Sequence, residues 1–412
     1  MRYLLVNNHC ITDPTAGVTQ SLRTIVQWLA EAGHQCHVLT TARFESPVTF
    51  TIDAHLRSMG VEVEESRAGS SATTGANARR PVLRFRVGEA DVTLLKTRRN
   101  DETRPDRAET AQFLSTFAQL AADLKPDQVI ACNAHPMIQA VLAEARKNGM
   151  TTAYAIRGFG YYDRRYFEHV NHAFTCSQFL TDVYRDRIGL VSTPLEPPIA
   201  WSTVVAPTES RAFVTFVHPA PHKGLYLFAR LASMLGAQRP DIPILVVQSG
   251  HSAGALNAIP GIDFSQYPQI MAAPAVPSPA DYFALTRILL VPSVWDEPFG
   301  RVAAEALING VPPIVSDRGS LPHVVGGDEA EGGAGRVVPL PEWMTFRTTR
   351  LPDASEVEPW FRAVCELWDD PARYDALADR GRRLAQARYG EAASRRLHVD
   401  YFTHLGPEGR PF

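Results

Sequence analysis

The stretch RILLVPSVWDEPFGRVAAEALINGVPPIVS, residues 287–316, reads as strand, loop, helix and strand. RILLVPS is a buried apolar run. GRVAAEALING holds good helix formers and stops at Gly310, as helices often do at glycine. VPPIVS is a second buried run. Strand, helix and strand in succession make a βαβ unit, which implies a parallel sheet with right-handed crossovers. Two glutamates, Glu297 and Glu305, stand in this unit with seven residues between them. Pro298 suits a first helical position, because its missing N–H is not needed there. The spacing therefore predicts a helix from Pro298 to Asn309, with Glu297 at its mouth and Glu305 roughly two turns inside. The backbone N–H groups of Phe299, Gly300 and Arg301 are expected to point out of that mouth, where an anion or phosphate would be held. The glutamates are too far apart to share a proton. They are expected to touch different parts of one elongated ligand, the plain alternative being a cap and a solvated side chain.

The same alternation runs outward in both directions. RYLLVN, a helix from Val18 to Ala32 ended by Gly33, and CHVLTT make a first βαβ unit. DQVIACN, PMIQAVLAEARKNG, MTTAYAIRG, HAFTCS and QFLTDVYRDRIG continue it. TPLEPPIAWSTVVAPTES, residues 193–210, carries four prolines and reads as a linker. Beyond it AFVTFV, LYLFARLASMLG, IPILVVQSG and RILLVPS restart the rhythm. The tail from about Glu356 to Leu405 is helical in pattern, with a break at DDP. Between Arg79 and Arg107 stand nine Lys/Arg and five Asp/Glu. With the small polar run before them, residues 68–107 are expected to form a flexible excursion from the sheet. The expected fold class is α/β, two doubly wound Rossmann-like domains facing a cleft. Their expected bounds are 1–198, 199–388 and a C-terminal helix, 389–412, packing back on the first domain.

The totals exclude several functions. The chain has 412 residues, 21% of them charged, and a net charge of -3, which gives no pull toward nucleic acid. There is no run of eighteen apolar residues to span a bilayer. The N-terminus reads as a buried strand rather than a signal peptide, so a cytoplasmic location is expected. The five cysteines form no CxxC pair, which argues against disulfides or zinc.

Other loops carry candidate chemistry. HPAPHKG, residues 218–224, follows a strand and holds His218, His222 and Lys223. Lys223 would be a point charge for a phosphate, against the ordinary reading of solvated surface. The prolines make a helical His218–His222 metal pair improbable. Gly17 opens the first helix and is weak evidence by itself. No metal cluster and no cofactor is expected.

The residues EPFGRVAAEALINGVPPIVSDRGSLPHVV resemble the E-x7-E motif of the family-4-like (group 1) retaining glycosyltransferases of the GT-B fold. KPDQVIACN, TCSQFL, EAGHQCHVLTT, Lys223-Gly224 and the closing helices LWDDPARYDALADRGRRLAQARYG add to the likeness, which covers nearly the whole chain. It implies a nucleotide-sugar donor and a sugar transfer that needs no metal. Glu297 would face the donor sugar and Glu305 the ribose hydroxyls. Phe299 and Gly300 would offer N–H groups to the sugar or pyrophosphate. Lys223 would neutralise the diphosphate, since its departure builds charge that fixed donors stabilise. Arg301, His218 and Gly17 are further donor-binding candidates.

The chain departs from the family at three places, the first being the loop where the family often has a pair of glycines and only Gly17 matches. His218 stands where the family has Arg, and it lacks that bidentate fork. Arg157 stands where the family's active-site His is usual, after the strand ending AIRG. As a catalytic candidate, Arg157 would bind an anionic acceptor or the pyrophosphate; the alternative is a structural salt bridge. His135 is a lesser candidate, expected to be structural. The acceptor would be a small molecule, a lipid-linked species or a glycan. The basic segment would meet an anionic acceptor or the membrane's inner face, or be a mixed-charge solvated loop, which its five acids favour. Two other functions stay open: a nucleotide-sugar epimerase on the same scaffold, and a non-catalytic nucleotide-sugar-binding protein. Sugar, base, linkage and oligomeric state are not set by the sequence.

Overall fold

The computed structural model describes residues 1–14, 16–45, 48, 50–66, 80–100, 105–248, 252–274, 276 and 278–412. The chain divides into two compact units. The first holds Met1–Pro198 and Arg395–Phe412, the second Ile199–Ser394.

In the first unit the described strands are β1 (Arg2–Val6), β2 (Gln35–Thr41), β3 (Glu64–Ser66), β4 (Val82–Val87), β5 (Ala90–Leu95), β6 (Gln128–Cys132), β7 (Thr151–Ile156), β8 (His172–Thr175) and β9 (Ser192–Pro194). They form one sheet in the order β3-β4-β5-β2-β1-β6-β7-β8-β9. From β5 to β9 all neighbours are parallel. Strands β6 and β7 are buried along their whole length. This is why they read as continuous apolar runs: helices cover both faces of a parallel sheet. Helix Gly17–Glu31 lays Leu22, Ile25, Val26 and Leu29 into that core, at the spacing of one helix face.

Residues 82–95 correct the sequence reading. They were expected in a flexible excursion over 68–107, yet β4 and β5 form an antiparallel hairpin, with β5 paired in parallel to β2. The physical reason is their alternation: Leu83, Phe85, Val92 and Leu94 are buried, while Arg84 and Arg86 face out. The charge count hid a period of two. Residues 68–79 and 101–104 of that segment lie outside the described residues. Helix Arg107–Leu124 also escaped the sequence reading. It starts with a reciprocal cap, Asp106 accepting from the Glu109 N–H and Glu109 from the Asp106 N–H. Buried Glu109 also pairs with buried Arg43 at 2.5 Å.

In the second unit the described strands are β10 (Phe213–Val217), β11 (Ile244–Val247), β12 (Ile270–Ala273), β13 (Thr286–Val291), β14 (Pro313–Ser316) and β15 (Arg336–Val338). Their order is β12-β11-β10-β13-β14-β15, parallel throughout. The core packs helices Leu225–Gln238 and Ala354–Asp369 against this sheet through Phe216, Phe228, Leu231, Trp360 and Val364. The Pro-rich stretch is no loose linker. Leu195 and Val204 are buried, and Asn309 ties it down by accepting from the Ala206 N–H and donating to the Val204 carbonyl.

The last helix, Glu391–Thr403, changes unit at Ser394/Arg395. Phe402 enters the first unit's core, and Gln128 donates to the Phe402 carbonyl at 2.8 Å. Cys10, Cys36, Cys132 and Cys176 are buried and Cys365 is half-buried, none of the five in a disulfide. Among the described residues no helix is long and apolar enough to cross a membrane.

Candidate active site

In a doubly wound sheet, ligands bind outside the carboxyl ends of the strands where the strand order reverses. In the second unit that point lies between β10 and β13. The loop after β10 carries His218, His222 and Lys223; the loop after β13 carries Ser293, Trp295 and Glu297. Topology therefore brings together two residues 74 positions apart: Lys223 Nζ lies 2.6 Å from Glu297 Oε1.

The pair is well enclosed. Glu297 is 5% exposed and also accepts from the Ser293 hydroxyl at 2.5 Å. The Lys223 ammonium stands 5.4 Å from the centre of the Trp295 ring. Burial alone would raise the Glu297 pKa. The Lys223 charge and the hydrogen bonds from Lys223 and Ser293 outweigh it and hold the carboxyl below its ordinary range, so it is ionised at neutral pH. A carboxylate in that state does not serve as a general acid. It can fix the direction of the ammonium and lend negative charge to a cationic neighbour.

Glycines close the loops around it. A Cβ on Gly224 would lie 2.0 Å from the Pro292 carbonyl oxygen, so only glycine lets the two loops meet. On the other side Gly319, after β14, bridges Glu297 in parallel, and the Ser320 N–H donates to the Glu297 carbonyl at 2.9 Å.

The helix itself differs from the expectation. It runs Arg301–Ile308, not Pro298–Asn309, because Gly300 takes a left-handed φ of 95° that helical residues do not adopt. Glu297 is therefore not its cap but sits four residues upstream in the β13 loop. Glu305 lies one turn inside, not two. Nor is Glu305 solvated: it is 2% exposed, pairs with Arg301 Nε at 2.8 Å, and accepts from the Tyr282 hydroxyl. Here burial wins over the Arg301 charge, and the pKa is raised. The two acids of one motif are thus pushed in opposite directions. Arg301 reaches the site through Glu305, while its backbone opens the helix. The Phe299 side chain is core, edge-on to Tyr389 at 6.0 Å.

His218 holds an unusual backbone, with φ 66°, its N–H donating to the Val247 carbonyl and its own carbonyl accepting from Ala220. Its ring is 5.8 Å from that of His222, which in turn is edge-on to Trp295 at 5.4 Å. Among the described residues no group of three or more His, Cys, Asp or Glu is placed to hold a metal ion.

Gly17 and Arg157 belong to the first unit. Gly17 is the first residue of its helix. Arg157 follows β7, half-buried, with its guanidinium 5.3 Å above the Phe174 ring. His135 caps helix Pro136–Lys147, its ring accepting from the Met137 N–H at 3.2 Å, which is a structural task. Ser293, Trp295 and Tyr282 escaped the sequence reading. Ser293 was findable as the first polar residue past a buried strand. Tyr282 sits in the short helix Pro279–Phe283, at no fixed spacing from Glu305.

Comparison with known proteins bears on the fold. Residues 205–347, which lie in the second unit, match the family model Glycosyl transferases group 1. The fold of the whole chain is that of GT-B glycosyltransferases. A glycosyltransferase from Rickettsia africae shares 11% identity at a TM-score of 0.65, with 98% of this chain and 97% of that one covered. Anabaena Alr3699/HepE, solved with UDP and glucose, shares 12% identity at 0.64, covering 98% and 100%. The pneumococcal O-GlcNAc transferase GtfA, solved with UDP and GlcNAc, shares 13% at 0.65, covering 98% and 99%. No curated protein matches the chain in sequence.

Proposed function

We propose that the chain is a retaining, metal-independent glycosyltransferase whose second unit binds a nucleoside-diphosphate sugar. The observation that carries this is the pair of half-buried Lys223 and buried Glu297 at the strand-order reversal, inside the residues that match the group 1 family model. The UDP found with HepE and GtfA supports the donor class.

The chemistry follows from charge. As the bond from the anomeric carbon to the phosphate oxygen breaks, its electron pair leaves on the diphosphate. Lys223 and the N–H groups at the start of helix Arg301–Ile308 supply the compensating positive charge that a metal would otherwise bring. An acceptor hydroxyl oxygen forms the new bond to the same face of the anomeric carbon, and its proton goes to the departing diphosphate. Ionised Glu297 orients the ammonium and stabilises positive charge growing on the sugar ring. Glu305, released from Arg301 or shared with it, receives the ribose hydroxyls. His218 would supply a hydrogen bond where Arg is usual, and Gly17 a close backbone approach. The acceptor would be a small molecule, a lipid-linked species or a glycan.

The test is a thermal-shift screen with UDP-, GDP-, ADP- and dTDP-linked sugars, followed by turnover. A ligand that binds the folded state alone raises the midpoint with its affinity. If none of these donors raises it, the reading is wrong. Product analysis without any acceptor separates an epimerase, which would convert the donor's sugar.

A further inference from the structure

We propose that residues 201–206, near the start of the second unit, position its nucleotide-sugar site, and that Asn309 and Trp201 are the positioning residues that fasten them to it. This deepens the transfer reading above and rests on it.

The stretch reads WSTVVA and opens with one 3-10 turn, Trp201–Thr203. Val204 and Ala206 are buried, while Ser202, Thr203 and Val205 are exposed. So short an element has little backbone bonding of its own. Its place is set by what it bonds to elsewhere. Those bonds reach far along the chain, to Ser278, Asn309 and Tyr389. Each ends on an element that carries a donor-side residue.

Asn309, 5% exposed, ends helix Arg301–Ile308. Its side-chain oxygen accepts from the Ala206 N–H at 2.9 Å. Its amide nitrogen donates to the Val204 carbonyl at 3.0 Å and to the Glu305 carbonyl at 2.9 Å. One side chain thus joins the stretch to the backbone of Glu305. The Thr203 carbonyl accepts from the Ser278 hydroxyl at 2.6 Å. Ser278 caps helix Pro279–Phe283, whose Tyr282 hydroxyl donates to the Glu305 carboxylate. The Trp201 indole N–H donates to the Tyr389 carbonyl at 2.8 Å. Tyr389 is buried, with its ring against Phe299. Its hydroxyl donates to the Val324 carbonyl at 3.3 Å, at the end of the short helix Leu321–Val324 that follows Gly319-Ser320.

The stretch is therefore tied to Glu305 twice, through its backbone and through its carboxylate, and to the loop before its helix once. Asn309 is buried, so breaking these bonds leaves amide or backbone groups unpaired away from water, which is costly. The three ties act together, and a shift of the stretch is felt at Glu305 and Phe299. A nucleotide with its ribose at Glu305 and its diphosphate at the helix start would hold the same elements from the other side. Linkage is reciprocal: if the nucleotide orders the stretch, the fastened stretch tightens the nucleotide by the same factor.

The experiment is calorimetric titration of the full chain with UDP, GDP, ADP and dTDP, joined to hydrogen–deuterium exchange over residues 200–206 with and without the nucleotide that binds. Bound nucleotide is expected to slow exchange there about threefold or more. Asn309→Ala should raise the Kd about tenfold and Trp201→Phe about threefold, and both should abolish the slowing. Ser202→Ala, on the same stretch, should change neither. Trp201→Phe keeps an aromatic ring and removes the indole N–H, so it reaches the site through the stretch alone. A role confined to supporting the fold would lower the melting temperature of both variants and leave their Kd values at wild type. That result in folded Trp201→Phe overturns the proposal, as does unchanged exchange over 200–206 when wild type binds. If none of the four nucleotides binds wild type, the donor reading falls and the proposal with it. If one binds wild type and both folded variants equally well, the proposal alone falls.

Discussion

At the ends of β10 and β13 the second unit sets Lys223 against Glu297; at the ends of β1 and β6 the first unit sets Asn133 against Asn8. Both pairs stand where strand order reverses in a doubly wound sheet. The topology is shared, and the chemistry is not. One edge is built from opposite charges, with the Glu297 carboxyl held ionised beside Lys223; the other from neutral amides. Topology decides where a ligand meets each unit, and residue type decides which ligand. In the proposed reading the charged edge receives the departing diphosphate.

The sharpest way to break this contrast is to neutralise the charged edge. Lys223→Met and Glu297→Gln are each expected to lower kcat about 10²–10³-fold, the cost of one lost electrostatic contact to a transition state. Steady-state turnover with the donor identified by thermal shift measures it, and a loss below tenfold in both would remove Lys223 from the chemistry. Next comes a pair of like substitutions, Gly319→Ala and Gly160→Ala. The first puts a Cβ 2.3 Å from the Glu297 nitrogen, a backbone collision, and is expected to cost about 3 kcal/mol or more in urea unfolding. The second meets open space and bears only the left-handed φ, about 1 kcal/mol. Equal losses would mean that the two edges are not built differently.

The two glutamates offer a test in sign rather than size. Glu297 has a lowered folded pKa, so the stability it contributes is present above the ordinary value of 4.5 and is lost as pH falls through the folded value. Glu305 has a raised one, so its contribution is present below 4.5 and is lost as pH rises through its folded value. Relative to wild type, Glu305→Gln should therefore gain stability as pH rises from 4 to 7, and Glu297→Gln should lose it. Parallel pH trends in denaturant midpoints would refute the opposite shifts. The smallest expected effect is Tyr184→Phe, which deletes one hydroxyl serving the Gly158 carbonyl and the Tyr161 N–H, at about 1 kcal/mol.

Much of this was readable in the residues. Buried parallel strands announce themselves as apolar runs, and all of those named around the two reversal points are strands in the structure. Glu297 and Lys223 stood out because each follows a strand end, and Glu305 because it repeats the carboxylate inside the helix that follows. What stayed hidden was what depends on contacts distant in sequence. The loops at 223 and 297 read as a point charge for a phosphate and a carboxylate at a helix mouth, both toward one donor; only the β10/β13 adjacency makes them an ion pair with each other. Arg301 read as a free helix N–H, and its side chain is committed to Glu305. The hairpin at 82–95 was lost because charge was counted without position. Pro298 misled for a local reason: a good first helical residue was overruled two positions later by the φ of Gly300.

The route of the chain has a consequence for synthesis. Gln128 in β6 closes onto Phe402 across 274 residues, with the whole second unit made in between. A ribosome thus delivers β1 to β9 long before the helix that completes their core. The second unit, continuous from Ile199 to Ser394, has all its strands in hand first. Nascent chains stopped near residue 394 should therefore protect the later-made sheet from protease before the earlier-made one, so that order of synthesis and order of completion run opposite ways.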